Sequence, residues 1–303
     1  MIAFSQLADS IVLPVVEVEA PALRSNLTGT RNEQWDSKKL ASLSGNNLGE
    51  LLQQESGVFI KSYGIGSSAT VAVRGGSAGH TAVLWNGLPL QSPMLGLLDF
   101  SLMPVSFLDK VDLQYGGNSS AWGSGAIGGV IALDNKLKKE TTSVEINSSA
   151  GSFGLLNNQL KAQYNFGKWT GVTRLFQKSA DNNFTYQIRE DLPIVEQTNA
   201  AFEQQGILQE LYYLPKGNQE LSIRFWGQKT DRQIPPTSAQ TRSLASQKDE
   251  SLRGSIHWKS IQDKWIWNAK SGLFRESIHY QDCLLYTSPS PRDATLSRMP
   301  SSA

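Results

Sequence analysis

Gly123, Gly125 and Gly128 fit the GxGxxG spacing by which a glycine-rich turn approaches a dinucleotide pyrophosphate, and a strand-like run precedes them. That chemistry requires a helix immediately afterwards, whose N-terminus holds the phosphate. Here the chain continues Gly129-Val130-Ile131-Ala132-Leu133, short and β-branched, before Asp134-Asn135. The glycines are therefore read as allowing tight backbone packing in a confined space. His80, His257 and His279 are scattered without metal-ligand spacing, and the single Cys283 excludes an internal disulfide framework and a multi-cysteine metal site. No catalytic set, metal site or cofactor is expected, so the chain reads as a protein that is not an enzyme.

The elements around these residues carry more information. Lys plus Arg number 28 against 27 Asp plus Glu, so no global field argues for nucleic acid or an anionic surface. No window holds the run of about eighteen apolar residues that a membrane-crossing helix needs. A membrane β-barrel escapes that test, because its strands alternate lipid-facing and lumen-facing residues.

From Asn47 to Asn135 the pattern is that of a compact α+β unit. Asn47 is placed to cap a short helix with Glu50 completing a capping box, Leu48, Leu51 and Leu52 form its apolar face, and Gly57 is expected to end it. Strands are expected over Val58 to Tyr63, Ala69 to Arg74, Thr81 to Trp85, Lys110 to Tyr115 and Gly129 to Leu133, completing a small mixed sheet. Asn86-Gly87 marks a tight turn, followed by an irregular loop from Leu88 to Gly96.

From Thr141 to about Ile278 the period becomes two. Leu160, Ala162, Tyr164 and Phe166 share one face and Gln159, Lys161, Gln163 and Asn165 the other; Leu221, Ile223 and Phe225 likewise oppose Ser222, Arg224 and Gln228. The same split recurs over Leu252 to Lys259 and Trp265 to Leu273. Tight connections at Phe166–Trp169, Leu214–Asn218 and Gln262-Asp263 alternate with long polar ones over Asp181 to Asn199 and Asp231 to Glu250. That is the rhythm of periplasmic turns and extracellular loops. Tyr164, Phe166, Trp169, Tyr212, Tyr213, Trp258, Trp265 and Trp267 all lie beside the short turns, where an interfacial girdle sits. A soluble β-sandwich adhesin or carbohydrate-binding module is the alternative reading of the strands, and a passive porin the alternative within the membrane class.

Val73-Arg74-Gly75-Gly76, the Leu84-Trp85-Asn86-Gly87 turn and the ending from Tyr115-Gly116 to Val130-Ile131 resemble the plug domain of the TonB-dependent outer-membrane receptors. Thr141 to Ile278 is similar to the first seven strands of their barrel. The plug most resembles that of cobalamin-receptor-like members. The resemblance implies an α+β plug followed by an incomplete antiparallel transmembrane barrel, divided as an arm over 1–43, a plug over 44–136, barrel strands over 137–282 and a non-native tail over 283–303. It also implies active transport: a scarce extracellular ligand, cobalamin-like or an iron chelate such as a ferric siderophore, binds outside and is imported with energy from a TonB-type transducer. The partners implied are that transducer and outer-membrane lipid, with no nucleic acid.

Residue by residue, the resemblance places ligand contacts on the apical plug loops, at Tyr63, Ser67, Ser68, Leu90, Gln91, Ser92 and Met94. It makes Val15, Val16, Glu17 and Val18 a TonB box on the flexible arm, and Arg74 an anchor to acidic residues of the barrel wall. Since plugged transporters of this kind use about twenty-two strands, seven cannot close a barrel, and the chain is expected to be a fragment. Met1 to Ser5 is then the remnant of a leader, and the run from Cys283 to Asp293 onward resembles a translated sequencing adapter.

Overall fold

The computed structural model describes residues 31–283 apart from 93–94, 117–124, 138–141, 188, 217, 238–239, 241 and 263–264. The proposed TonB box, Met94, Gly123, the leader remnant and all but the first residue of the tail lie outside the described residues.

The chain enters through β1 (Asn32–Trp35) and α1 (Ser37–Ser42), both within the stretch expected to be an arm. The strand is legible only in three dimensions, because its four polar-rich residues are held by antiparallel pairing with a strand far along the chain. Asp36 caps α1 by accepting from the Lys39 amide. Next comes α2 (Leu48–Glu55), which begins as its sequence dictates. Asn47 Oδ1 accepts from the Glu50 amide and Glu50 Oε2 from the Asn47 amide, both at 2.9 Å. Leu48, Leu51 and Leu52 are fully buried. Its end differs from expectation: Ser56, in extended conformation, is the cap, donating its amide to Leu52 O, and Gly57 takes no left-handed turn.

A hairpin of β2 (Phe59–Ser62) and β3 (Ala69–Ala72) follows. Then β4 (Thr81–Trp85) turns at Asn86 and Gly87, φ 50° and 83°, into the two-residue β5 (Leu88–Pro89). Two consecutive left-handed residues suit the hairpin twist, hence Asn-Gly. With β6 (Lys110–Tyr115) and β7 (Gly129–Asp134) these complete a five-stranded sheet ordered β1-β6-β7-β4-β5, in which β4 and β7 run parallel and every other pair antiparallel. No helix follows Gly128, and a Cβ there would meet Val73 O at 3.1 Å, so glycine is required by close backbone approach.

The second unit is one antiparallel sheet of seven strands: β8 (Ser143–Ala150), β9 (Leu156–Phe166), β10 (Trp169–Ala180), β13 (Phe202–Lys216), β14 (Gln219–Ile234), β15 (Ala245–Gln262) and β16 (Trp265–Gln281). A separate small hairpin, β11 (Thr185–Tyr186) with β12 (Val195–Glu196), rises from the long connection between β10 and β13. The loop between β14 and β15 is shorter than expected, because both strands continue through charged residues such as Asp231 and Lys248 that still pair across the ladder. The connection from Ala150 to Leu156 is also brief, so the short-long rhythm is not strict at the first hairpin.

This sheet is inverted relative to a soluble protein. Asn157, Gln159, Gln163, Arg174, Gln204, Glu210, Arg224, Gln228, Arg232 and Arg253 are buried, whereas Leu156, Phe166, Leu175, Ile207, Ile223, Phe225, Leu252, Ile256 and Leu273 are exposed. A sandwich would bury the second set against a facing sheet. Here the polar face closes on the plug and the apolar face looks outward, which excludes the sandwich. The outward aromatics pack together, Phe166 stacked on Trp169 with centroids 6.4 Å apart and Trp169 tilted 30° against Tyr213 at 4.6 Å. Tyr212 does not join them. Adjacent strand residues point to opposite faces, so Tyr212 is buried on the inner side and donates to Glu210 Oε1 at 2.7 Å.

Candidate functional site: the plug–wall junction and its apical cavity

Plug and wall meet first through a dry aromatic contact. Trp85 lies edge-on to Trp226 at 5.4 Å, and Phe107 edge-on to Phe176 at 5.1 Å and to Trp226 at 5.6 Å. Geometry of this kind adds about 0.5–1.5 kcal/mol per pair beyond area burial. Asn135 fixes it from behind, accepting from Trp85 Nε1 at 2.8 Å and donating to Phe107 O at 2.7 Å.

An ionic junction sits beside it. The carboxylate of Asp109, on the plug, accepts from Arg174 Nη2 and from Lys161 Nζ at 3.1 Å, both on the wall, while Arg174 Nε also reaches Glu210 Oε2 at 3.1 Å. Burial pushes the Asp109 carboxyl up, but Arg174 and then Lys161 outweigh it and hold the pKa below the ordinary carboxylate value. The expected anchor, Arg74, is not part of this. It is exposed, at φ 52° in the left-handed region, and forms no ion pair with a described carboxylate. Among the described residues the polarity of anchoring is reversed, with wall cations reaching to plug acids.

Higher on the wall a second junction borders a cavity. Asp99 Oδ1 accepts from the Ala69 amide at 2.9 Å and from Ser101 Oγ at 2.7 Å, and its Oδ2 from Arg232 Nη2 at 2.9 Å. Arg232 also pairs with Asp249 at 3.1 Å. The cavity, about 250 Å³, lies between the loops after β2 and β5 and the upper parts of β14, β15 and β16, with Ser68, Ser92, Leu95, Asp99, Arg232, Arg253 and Glu276 in its lining. Two of the expected contact residues, Ser68 and Ser92, thus come together. Ser67 turns instead to a separate recess within the plug, with Ser62 and Ile65. Tyr63 stands exposed at the loop apex. Gln91 is turned inward, donating to Thr81 O at 2.9 Å. Leu90 is 2 % exposed and belongs to the core, which removes it as a contact. The loop carrying Tyr63 to Ser68 is held to the wall by Asn182 Nδ2 donating to Ile65 O at 3.0 Å, and at Gly66, φ 77°, a Cβ would fall 2.1 Å from the Phe202 ring.

Asp99, Arg232, Asp249, Arg253 and Glu276 went unassigned at the sequence level. The available signal was charge on the face opposite the apolar set of a period-two strand, at Arg232 on β14 and at Asp249 and Arg253 on β15. Charge there is solvated or paired, and only the folded wall shows which.

A seven-stranded sheet, polar inside and apolar outside, with a mixed-sheet domain docked on its polar face is part of a plugged β-barrel. Residues 27–130 match the family profile described as TonB-dependent Receptor Plug Domain. Residues 27–130 thus carry a plug domain of that family, and the seven-stranded sheet that follows has the fold of the barrel strands of such receptors. It is 30 % identical over 117 residues to the vitamin B12 transporter of Photobacterium profundum, a match covering 39 % of this chain and 19 % of the relative. The vitamin B12 transporter of Vibrio cholerae is also 30 % identical, over 138 residues, covering 42 % of this chain and 23 % of the relative. The chain thus spans about a fifth of the length of the curated relatives it matches. The siderophore receptor PiuA of Acinetobacter baumannii superposes with TM-score 0.65 at 14 % identity, over 83 % of this chain and 37 % of that one. The pyoverdine outer membrane receptor FpvA of Pseudomonas aeruginosa does so with TM-score 0.68 at 12 % identity, over 84 % and 38 %. These relatives are transporters and receptors rather than enzymes.

Proposed function

We propose that this chain is the plug and first part of the barrel of an outer-membrane receptor that binds a scarce extracellular ligand, cobalamin-like or an iron chelate, and imports it with energy from a TonB-type transducer. The observation that carries the reading is the inverted sheet. A face of Leu, Ile, Phe and Trp directed away from the protein suits hydrocarbon, while buried Arg, Gln and Glu face a plug that fills the lumen. The apical cavity supports ligand binding by Ser68 and Ser92, since binding sites combine apolar walls with a few placed polar groups. Gln91 and Ser67 remain candidates in this reading only after a rearrangement of their loops, and Met94, outside the described residues, remains a candidate as the resemblance implies. Val15 to Val18 suits pairing with a sheet edge of the transducer.

The experiment is uptake of labelled cyanocobalamin and of ferric chelates by cells carrying the full-length receptor, with and without residues 15–18. Loss of uptake with retained surface binding is the expected result. Equal uptake by both forms would count against energy coupling through this segment.

A further inference from the structure

We propose that the apical cavity takes an electroneutral ligand rich in hydrogen-bond acceptors and that Arg253 is the donor that reads it; this rests on the receptor reading above. The inward-facing charged side chains in its lining are Asp99, Asp249 and Glu276 against Arg232 and Arg253, an excess of one carboxylate, while Glu250 reaches it from the outward parity of its strand. Arg232 is already engaged, by Asp99 at 2.9 Å and Asp249 at 3.1 Å. Arg253 is not saturated. Its Nη2 meets Glu276 Oε1 at 2.8 Å, while Nε and Nη1 find no partner among the described residues although the side chain is 3 % exposed.

The guanidinium rests on the Trp226 ring, Cζ 4.7 Å from the centroid. Such stacking holds a cation in place but leaves its N–H groups unmade, and buried donors without acceptors are uncommon and costly. A small rotation off the indole turns these nitrogens to the cavity that Arg253 already lines, and an acceptor oxygen arriving there recovers the missing bonds. A polyanion gains the same bonds but meets the surplus carboxylate, and like charges brought together in an interface disfavour binding. Uncharged carbonyl-type oxygens, as in amides, gain the bonds without the repulsion. The Leu and Ile walls of the cavity, Leu95, Leu97 and Ile278 among them, suit the apolar flanks of such a molecule.

The test uses the full-length receptor carrying this chain, purified in detergent, titrated calorimetrically with three probes: cyanocobalamin and ferrichrome, both electroneutral, and ferric enterobactin, a polyanion. One neutral probe is expected to bind about tenfold or more tighter than ferric enterobactin, with little dependence on salt. Arg253→Met should weaken that probe by roughly tenfold, Arg253→Lys should recover part of the loss, and Glu276→Gln should raise ferric enterobactin affinity severalfold. Heat-modifiable gel migration verifies that each variant is folded, and Arg253→Lys carries the test should Arg253→Met fail to fold. Preference for ferric enterobactin, or unchanged affinity in the folded Arg253 variants, would overturn the proposal. If none of the probes binds, the receptor reading falls and takes this inference with it, an outcome distinct from a reversed preference.

Discussion

Asp109 shows how one side chain couples the two units. It belongs to the plug, yet its counter-charges, Arg174 and Lys161, belong to the wall, and Arg174 is itself shared with Glu210. Removing one partner of a buried charge pair leaves the other uncompensated, so Asp109→Asn is expected to lower stability by about 3 kcal/mol at neutral pH, read from urea unfolding followed by tryptophan fluorescence. The pH dependence has a definite sign. A carboxyl whose folded pKa is depressed stabilises fully above its unfolded value, about 3.9, and the contribution fades as pH falls through the lower folded value. The difference between wild type and Asp109→Asn should therefore persist down to about pH 4 and shrink below it. A difference that instead disappeared between pH 5 and 7 would mean that Arg174 and Lys161 do not hold this carboxyl down.

Among the elements, α2 was the most legible. Its capping box and its leucine spacing are local, so the sequence contains all that is needed to place it. Replacing Asn47 by Ala should cost about 1 kcal/mol, measured as a shift in the urea midpoint of the plug transition; no shift would mean that packing of Leu48, Leu51 and Leu52 alone starts the helix. β1 lies at the other extreme. Asn32 to Trp35 carry no strand signal that stands out from a polar arm, and pairing with β6 is what makes them a strand. Strand faces in the wall are readable from alternation; closeness to a short turn puts Tyr212 at the level of the girdle, while its parity, opposite to that of Tyr213, turns it to the inner face. The outward face also shows how polar residues are tolerated there: Thr173 Oγ1 donates to Gln209 Oε1 at 2.6 Å and Gln209 Nε2 to Tyr164 Oη at 3.0 Å, so the cluster satisfies itself.

For the molecule as a whole, the orientation of the wall decides its solvent. Ile256 is 52 % exposed on a face continuous with Leu252, Phe225 and Ile223. If hydrocarbon covers that face, Ile256→Arg should disfavour folding into lipid vesicles by roughly 2–4 kcal/mol near the bilayer midplane, seen as a smaller fraction of full-length receptor in the folded, heat-modifiable form. In a water-facing sheet the same substitution would be neutral or solubilising, and that result would sink the membrane assignment. The plug is fixed to this wall by apolar contact, in the Trp85–Phe107–Trp226 cluster, and by ion pairs, those at Asp109 and Asp99 among them. Apolar docking and charge pairing respond differently to salt and pH, which gives the two attachments separable signatures.

What the sequence determined by itself is whatever depends on neighbours within a few residues: the capped helix, the Asn86-Gly87 turn, the period-two faces, the absence of a helix after Gly128. From those the plug and the barrel strands followed, since periodicity and turn chemistry are local properties. The tertiary structure alone decided which polar residues of the inner face would meet the plug, that Leu90 is core, that Arg74 stands outside the ion pairs of the described wall, and that Asp99, Arg232, Asp249, Arg253 and Glu276 surround one cavity. Those residues are brought together by sheet register and by docking of one domain on another, through contacts spanning more than a hundred positions, as between Ser101 and Arg232. Pairing energies at such separation depend on geometry that no short window of sequence contains.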